Sequence, residues 1–211
     1  MNARLMRFVL EMRQAGVTDA RVLAALERTP REHYAPEHLH ALALDDVALP
    51  LPHSQTMTKP STVGRMLMAL LPKPGDVVLE IGAGSGFQAA AIAALADKVV
   101  TLDRHRDLVG EARAGFARTG LMNAFAHCAD GFEGWSYDAP YDAIVFNVAV
   151  DDLMLPLLDQ LRPGGVLIAP VGSADEQRLV RLRNGEREDL GGVKFEPIAR
   201  GIAQVEEGAQ E

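Results

Sequence analysis

Three glycines in five positions, Gly82-Ala83-Gly84-Ser85-Gly86, separate the apolar run Val77 to Ile81 (VVLEI) from the alanine-rich run Gln88 to Ala96. Glycine enters left-handed backbone at little cost and lets a main chain approach a ligand closely, so a strand, a glycine turn and a helix in this order describe a βα unit. The alternation continues downstream. Val99 to Asp103 (VVTLD) is a second strand, Asp107 to Arg118 a helix, Ala124 to Cys128 a third strand and Tyr141 to Val148 a fourth. Leu153 to Leu161 is expected as a helix ended by Pro163-Gly164-Gly165, followed by a fifth strand from Val166 to Val171. Gln177 to Arg183 and Val193 to Ala203 complete the pattern as two last strands. Such alternation implies an α/β fold with a mostly parallel sheet and helices on both faces.

Residues 1–74 read differently. Val22, Leu23 and Leu26 recur on one helix face, Thr18 or Asp19 suits the cap before them, and Pro30 ends the helix. The run LPLPHSQTMTKP, with prolines at 50, 52 and 60, is a loop, and Pro60 suits the first position of a further helix carrying Val63, Met66, Leu67 and Leu70. At roughly 100–200 residues per domain, 211 residues give one domain: a helical extension and loop over 1–74, a core over 75–204 and a frayed tail over 205–211. The 21 Lys and Arg against 29 Asp and Glu give a net charge of −8, which disfavours capture of a phosphate backbone. No nucleic-acid partner is therefore expected. One cysteine, Cys128, forms no internal disulfide, and no apolar run approaches the roughly 20 residues that cross a bilayer. The N-terminal run has Arg4, Arg7 and Glu11 within its apolar pattern and reads as an amphipathic helix rather than a leader. The expectation is a cytoplasmic monomer.

The glycine turn sets the candidate chemistry. A dinucleotide fingerprint needs its third glycine at position 87, where Phe87 stands, so the turn argues against NAD and for the shorter GxGxG turn of enzymes that bind S-adenosylmethionine. A ligand-free tight turn is the plain alternative. Asp103 ends the second strand, where a carboxylate accepts hydrogen bonds from ribose hydroxyls; an ordinary strand-end acid would look the same. Asp130-Gly131 follows the third strand on the same rim and suits an adenine amino group, although Asp-Gly is also a common turn. The chain contains neither GxxxxGK[ST] nor GxSxG, which leaves a phosphate loop and a hydrolase elbow unsupported. His33, His38 and His40 read as surface polar residues, and with no HExxH and no cysteine pair no metal site is expected.

The segments PREHYAPE, LPLPHSQTMTKP, VVLEIGAGSGFQAA, ADG, LLDQLRPGGVLIAPVG and VKFEPI occur in this order. Together they resemble the protein-L-isoaspartate O-methyltransferase family from about residue 20 to residue 198. The resemblance implies a Rossmann-like methyltransferase fold and transfer of a methyl group from S-adenosylmethionine to the α-carboxylate of L-isoaspartyl residues in damaged proteins. It implies that Gln55, Thr56 and Thr58 line an active-site loop, the first two among the cofactor's contacts and Thr58 as the catalytic residue. Glu80, Gly82, Gly84 and Gly86 would hold the methionine end, Asp103, Asp130 and Gly131 the adenosine, and Gln177 would lie near the cofactor. The loop departs from the family's usual GQTIS: Ser54 stands for the glycine, Thr58 for the serine, and Lys59 precedes Pro60. Asp151-Asp152 replaces part of an alanine run after the fourth strand. These departures keep two rivals open, a different carboxylate acceptor and a cofactor-binding module without catalysis. A carboxylate is already ionised at neutral pH, so its methylation calls for positioning and desolvation rather than a general base.

Overall fold

The computed structural model describes residues 3–153 and 156–204. Two helices open it, α1 (Ala3–Gln14) and α2 (Ala20–Arg28), the latter capped by the Asp19 carboxylate, which accepts from the Arg21 and Val22 amides. A two-stranded hairpin follows, β1 (Leu49–Pro50) with β2 (Thr56–Met57), and then α3 (Pro60–Leu70), with Pro60 at its start as expected. The core alternates β3 (Val77–Ile81), α4 (Phe87–Ala93), β4 (Lys98–Asp103), α5 (Arg106–Thr119), β5 (Ala124–Cys128) and β6 (Tyr141–Phe146). It closes with β7 (Leu161–Gly172), β8 (Gln177–Arg183) and β9 (Glu186–Val193).

The seven strands order as β5-β4-β3-β6-β7-β8-β9. The pairs from β5 to β7 are parallel; β8 and β9 add antiparallel. The chain runs outward from β3 through β4 to β5 and then returns to place β6 on the other side of β3. That reversal opens a crevice beyond the carboxyl ends of the strands, the place where open α/β sheets bind ligands. Alternate residues of the central strands feed two cores. Val78, Val99, Val145 and Ile168 join the apolar faces of α1 to α5. Leu79, Val100, Ile144 and Leu167 pack on the other face with Leu153, Leu157 and Trp135, where one-turn 3-10 helices give the cover.

Two expectations are corrected. The helix placed over Leu153–Leu161 is a 3-10 turn at Pro156–Gln160, with residues 154 and 155 outside the described residues. Pro163-Gly164-Gly165 does not stop it but lies within β7, where the pairing shifts register between Tyr141 and Ala143. A Cβ on Gly165 would stand 2.8 Å from the Arg162 carbonyl oxygen and 2.9 Å from that of Asp142, so the glycine permits this close passage. The last strand is Glu186–Val193, not Val193–Ala203. Asn184-Gly185, at φ of 52° and 80°, turns β8 straight into β9 through the Asn-Gly dipeptide favoured by tight hairpins.

Candidate active site

The glycine turn leaves β3 at the reversal point. The amides of Gly82 and Ala83 both donate to the Leu102 carbonyl at 2.8 Å, which ties the turn to β4. Gly82, Gly84 and Gly86 all have positive φ, at 91°, 49° and 84°. Gly86 caps α4 from a position where a Cβ would meet Ala112 at 2.9 Å and Phe116 at 3.0 Å, so packing alone already requires a glycine there. The turn borders a cleft of about 880 Å³, counting the space open to solvent, whose wall includes Gln55, Thr56, Thr58, Gly82, Gly84, Asp103 and Gly131.

Asp103 is largely buried. One of its oxygens accepts from the Gly84 amide and the other from the His105 amide, each at 2.9 Å. A carboxylate has about four acceptor sites, so these two bonds aim Asp103 and fix the turn while leaving capacity for hydroxyl groups in the cleft.

Four sequence candidates lie outside the cleft wall. Gly86 is the helix cap already described. Glu80 is fully buried beneath the turn and accepts from the Thr101 hydroxyl at 2.5 Å and the Asn147 side-chain amide at 2.9 Å. Burial pushes the Glu80 carboxyl up to about 8, with the nearby Asp103 charge acting in the same direction and the two donors opposing. It supports the wall from behind and holds its proton more tightly than an ordinary glutamate does. Asp130 accepts from the backbone amides of Phe132, at 2.9 Å, and Gly201, at 2.7 Å, pinning the segment after β9. Gln177 exchanges two hydrogen bonds with the Phe195 backbone, at 2.9 and 2.7 Å, and pins the same segment nearer its start.

The sequence reading missed Gln88, Asn147, His105 and the run Pro197–Ala199, all of which line the cleft. Both side-chain polar atoms of Gln88 and the Asn147 side-chain oxygen are buried without a hydrogen-bond partner. Buried polar groups are normally satisfied; with Arg104 Nε, buried without a partner in the same wall, there are four such atoms, and four orphans in one cleft call for a polar ligand. Gln88 was legible in principle, as the one polar residue of the buried helix FQAAAIA. The orphaned atoms, the glycine turn and the aimed carboxylate fit a ligand with an amino-acid end and a ribose.

The loop over the cleft is held from below. Arg31 is 1% exposed. It donates to the carbonyls of Ala43 at 3.1 Å, Asp45 at 3.4 Å, Val47 at 2.9 Å and Thr58 at 3.2 Å. Burial lowers its guanidinium to about 10, still charged at neutral pH. Gln55, Thr56, Thr58 and Asn147 also border a second groove, flanked by Lys59, Arg65, Lys194 and Phe195. The two cavities thus share a wall at Thr58.

Residues 3–200 match the family described as protein-L-isoaspartate(D-aspartate) O-methyltransferase (PCMT). The chain is 46% identical over 207 residues to the protein-L-isoaspartate O-methyltransferase of Paracoccus denitrificans, covering 96% of each. It is 45% identical to that of Azorhizobium caulinodans, covering 94% of each. A solved protein-L-isoaspartate O-methyltransferase superposes with a TM-score of 0.82 at 23% identity, covering 94% of this chain and 67% of that one. One from Plasmodium falciparum, described as a putative enzyme of this kind in complex with S-adenosyl-L-homocysteine, gives 0.79 at 20% identity, covering 94% and 99%. With the match spanning nearly its whole length, the chain belongs to the protein-L-isoaspartate(D-aspartate) O-methyltransferase family.

Proposed function

We infer that the chain methylates a protein carboxylate, the α-carboxylate of an L-isoaspartyl residue, with S-adenosylmethionine as donor. The observation that carries the reading is the shared wall: Thr58 and Asn147 border both the nucleotide-type cleft and the groove beside Lys59 and Lys194. A donor in the first and a peptide in the second would meet there. Bound S-adenosylmethionine supplies a methyl group on a sulfonium, electrophilic enough to be taken by a carboxylate oxygen and released as an ester.

The chain's own work is placement. Gln88 and Asn147 receive the amino-acid end of the donor, satisfying their orphaned atoms, and Asp103 receives the ribose hydroxyls. Gly131 and the run Pro197–Ala199 supply the wall for the adenine. Thr58 donates its hydroxyl to the acceptor carboxylate and aligns one oxygen with the methyl group. Lys59 draws the anion toward the groove. Holding two reactants in line and out of water is the main gain open to a reaction that needs no base. The proposed working unit is a single-domain, cytoplasmic monomer acting on damaged protein rather than nucleic acid.

The test is transfer of labelled methyl from S-adenosylmethionine to an isoaspartyl peptide beside its normal aspartyl twin. Label is expected in the isoaspartyl peptide alone. Equal labelling of both, or of neither, would overturn the acceptor assignment.

A further inference from the structure

At the outer rim of the cleft, the tip of the β1–β2 hairpin meets the start of α5. The His53 ring nitrogen Nε2 lies 2.6 Å from Asp107 Oδ2, between residues 54 positions apart. The His53 and His105 rings stack with centroids 4.3 Å apart and planes 8° from parallel. One donor atom from each of the three residues falls within 4.8 Å of the others, and no other such trio of His, Cys, Asp or Glu occurs among the described residues. His53 and Asp107 are exposed and open to solvent ions, while His105 belongs to the cleft wall.

We propose that His53, His105 and Asp107 form a site for a borderline divalent transition-metal ion of the zinc type, which joins the active-site hairpin to the rim of the cleft. Two imidazoles and one carboxylate are a donor set for such ions, whereas magnesium and calcium favour shells of oxygen alone. Three protein donors leave a fourth position for water. At bond lengths of about 2.0–2.2 Å, tetrahedral donors stand about 3.4 Å apart. The His53–Asp107 contact therefore opens and the widest separation closes, each by an ångström or so. Stacked rings cannot aim both in-plane lone pairs at one point, so the ion turns them out of the stack. His53 and Asp107 both stand at the surface, where their side chains have room to reorient. With the ion bound, the hairpin tip and the cleft wall become one unit, and exchange of the cleft's ligand slows.

The test uses the full chain, freed of metal with a chelator, and titrates zinc against a chromophoric chelator; cobalt absorption reports the coordination geometry. One ion per chain is expected, with the absorption of a four-coordinate site. His53→Asn removes the imidazole but suits the left-handed backbone at φ 59°, since asparagine tolerates that conformation. Asp107→Asn removes the charge at the start of α5. Each should weaken zinc binding by more than about tenfold, because loss of even a supporting residue typically costs that much. A chain with His33, His38 and His40 all changed to glutamine should bind as the parent does. The proposal is overturned if the parent binds no stoichiometric zinc, if either single variant binds as tightly as the parent, or if the triple variant loses the ion. Binding is measured without substrate, so failure here leaves the methyl-transfer reading standing.

Discussion

Three side chains illustrate how position divides labour in and behind the cleft. Asp103 has bonds on both oxygens to backbone amides, so it shapes the turn as well as facing the ligand. Asp103→Ala is expected to weaken S-adenosylhomocysteine binding by about 1–3 kcal/mol in calorimetry, with part of the loss arising from the freed Gly84 and His105 amides. Thr58 has a different expected effect. Thr58→Val keeps the shape and deletes one hydrogen bond to a charged acceptor, worth about 1.5–3 kcal/mol, or roughly one to two orders of magnitude in turnover. S-adenosylhomocysteine affinity should hardly move, and an unchanged rate would remove the hydroxyl from the mechanism. Glu80 titrates. Its folded value of about 8 lies above that of an unfolded glutamate, so the native state binds the proton more tightly. Its contribution is fully present below the ordinary glutamate range and is lost as pH rises through about 8. Chemical denaturation across this window should show the parent losing stability with pH more steeply than Glu80→Gln, which mimics the protonated acid.

At the scale of elements, the hairpin over the cleft depends on a residue far from it in sequence. Arg31 gathers carbonyls from residues 43, 45, 47 and 58, which no repeat or periodicity in the chain reveals. Arg31→Lys keeps the charge but loses the forked geometry. It is expected to cost about 2–4 kcal/mol in thermal or denaturant unfolding, since buried acceptors would be left unpaired. The regular elements were legible because glycine and proline punctuate them: the turn at 82–86, the start of α3 at Pro60 and the alternating strands all lie where local chemistry puts them. The errors fell where tertiary pairing overrode that punctuation. Pro163-Gly164-Gly165 reads as a stop signal but lies inside β7 as an unpaired bulge, between Leu161 opposite Tyr141 and Val166 opposite Ala143. Asn184-Gly185 is a strong hairpin dipeptide, and pairing with β8 sets β9 directly after it, ahead of the apolar run expected as the last strand. In the cleft, Gly82, Gly84, Asp103 and Gly131 were legible from spacing. Gln88 and Asn147 were not, because their significance is that they are buried without partners, a property of the packed chain alone.

At the scale of the molecule, the cleft is assembled from pieces distant in sequence. The turn after β3 supplies one side, the hairpin at 49–57 a second, and Pro197–Ala199 a third. This last piece follows the final strand and is pinned at intervals: Gln177 exchanges two hydrogen bonds with Phe195, Ala149 donates to Glu196 and accepts from Ile198, Gly201 donates to Asp130, and Ala203 donates to the Arg104 carbonyl. A chain cut after Val193 is expected to keep the far-ultraviolet circular dichroism of the sheet yet lose most S-adenosylhomocysteine affinity in calorimetry; undiminished affinity would show that the segment is dispensable to the cleft. The order of synthesis gives this arrangement a further meaning. All strands of the sheet leave the ribosome before residues 197–199, so a nascent chain can pair β3 with β4 and β6 long before its cleft has a third wall. A ligand that needs all three walls then meets its complete site only once every strand of the sheet has been made, and its stabilisation falls on the finished protein.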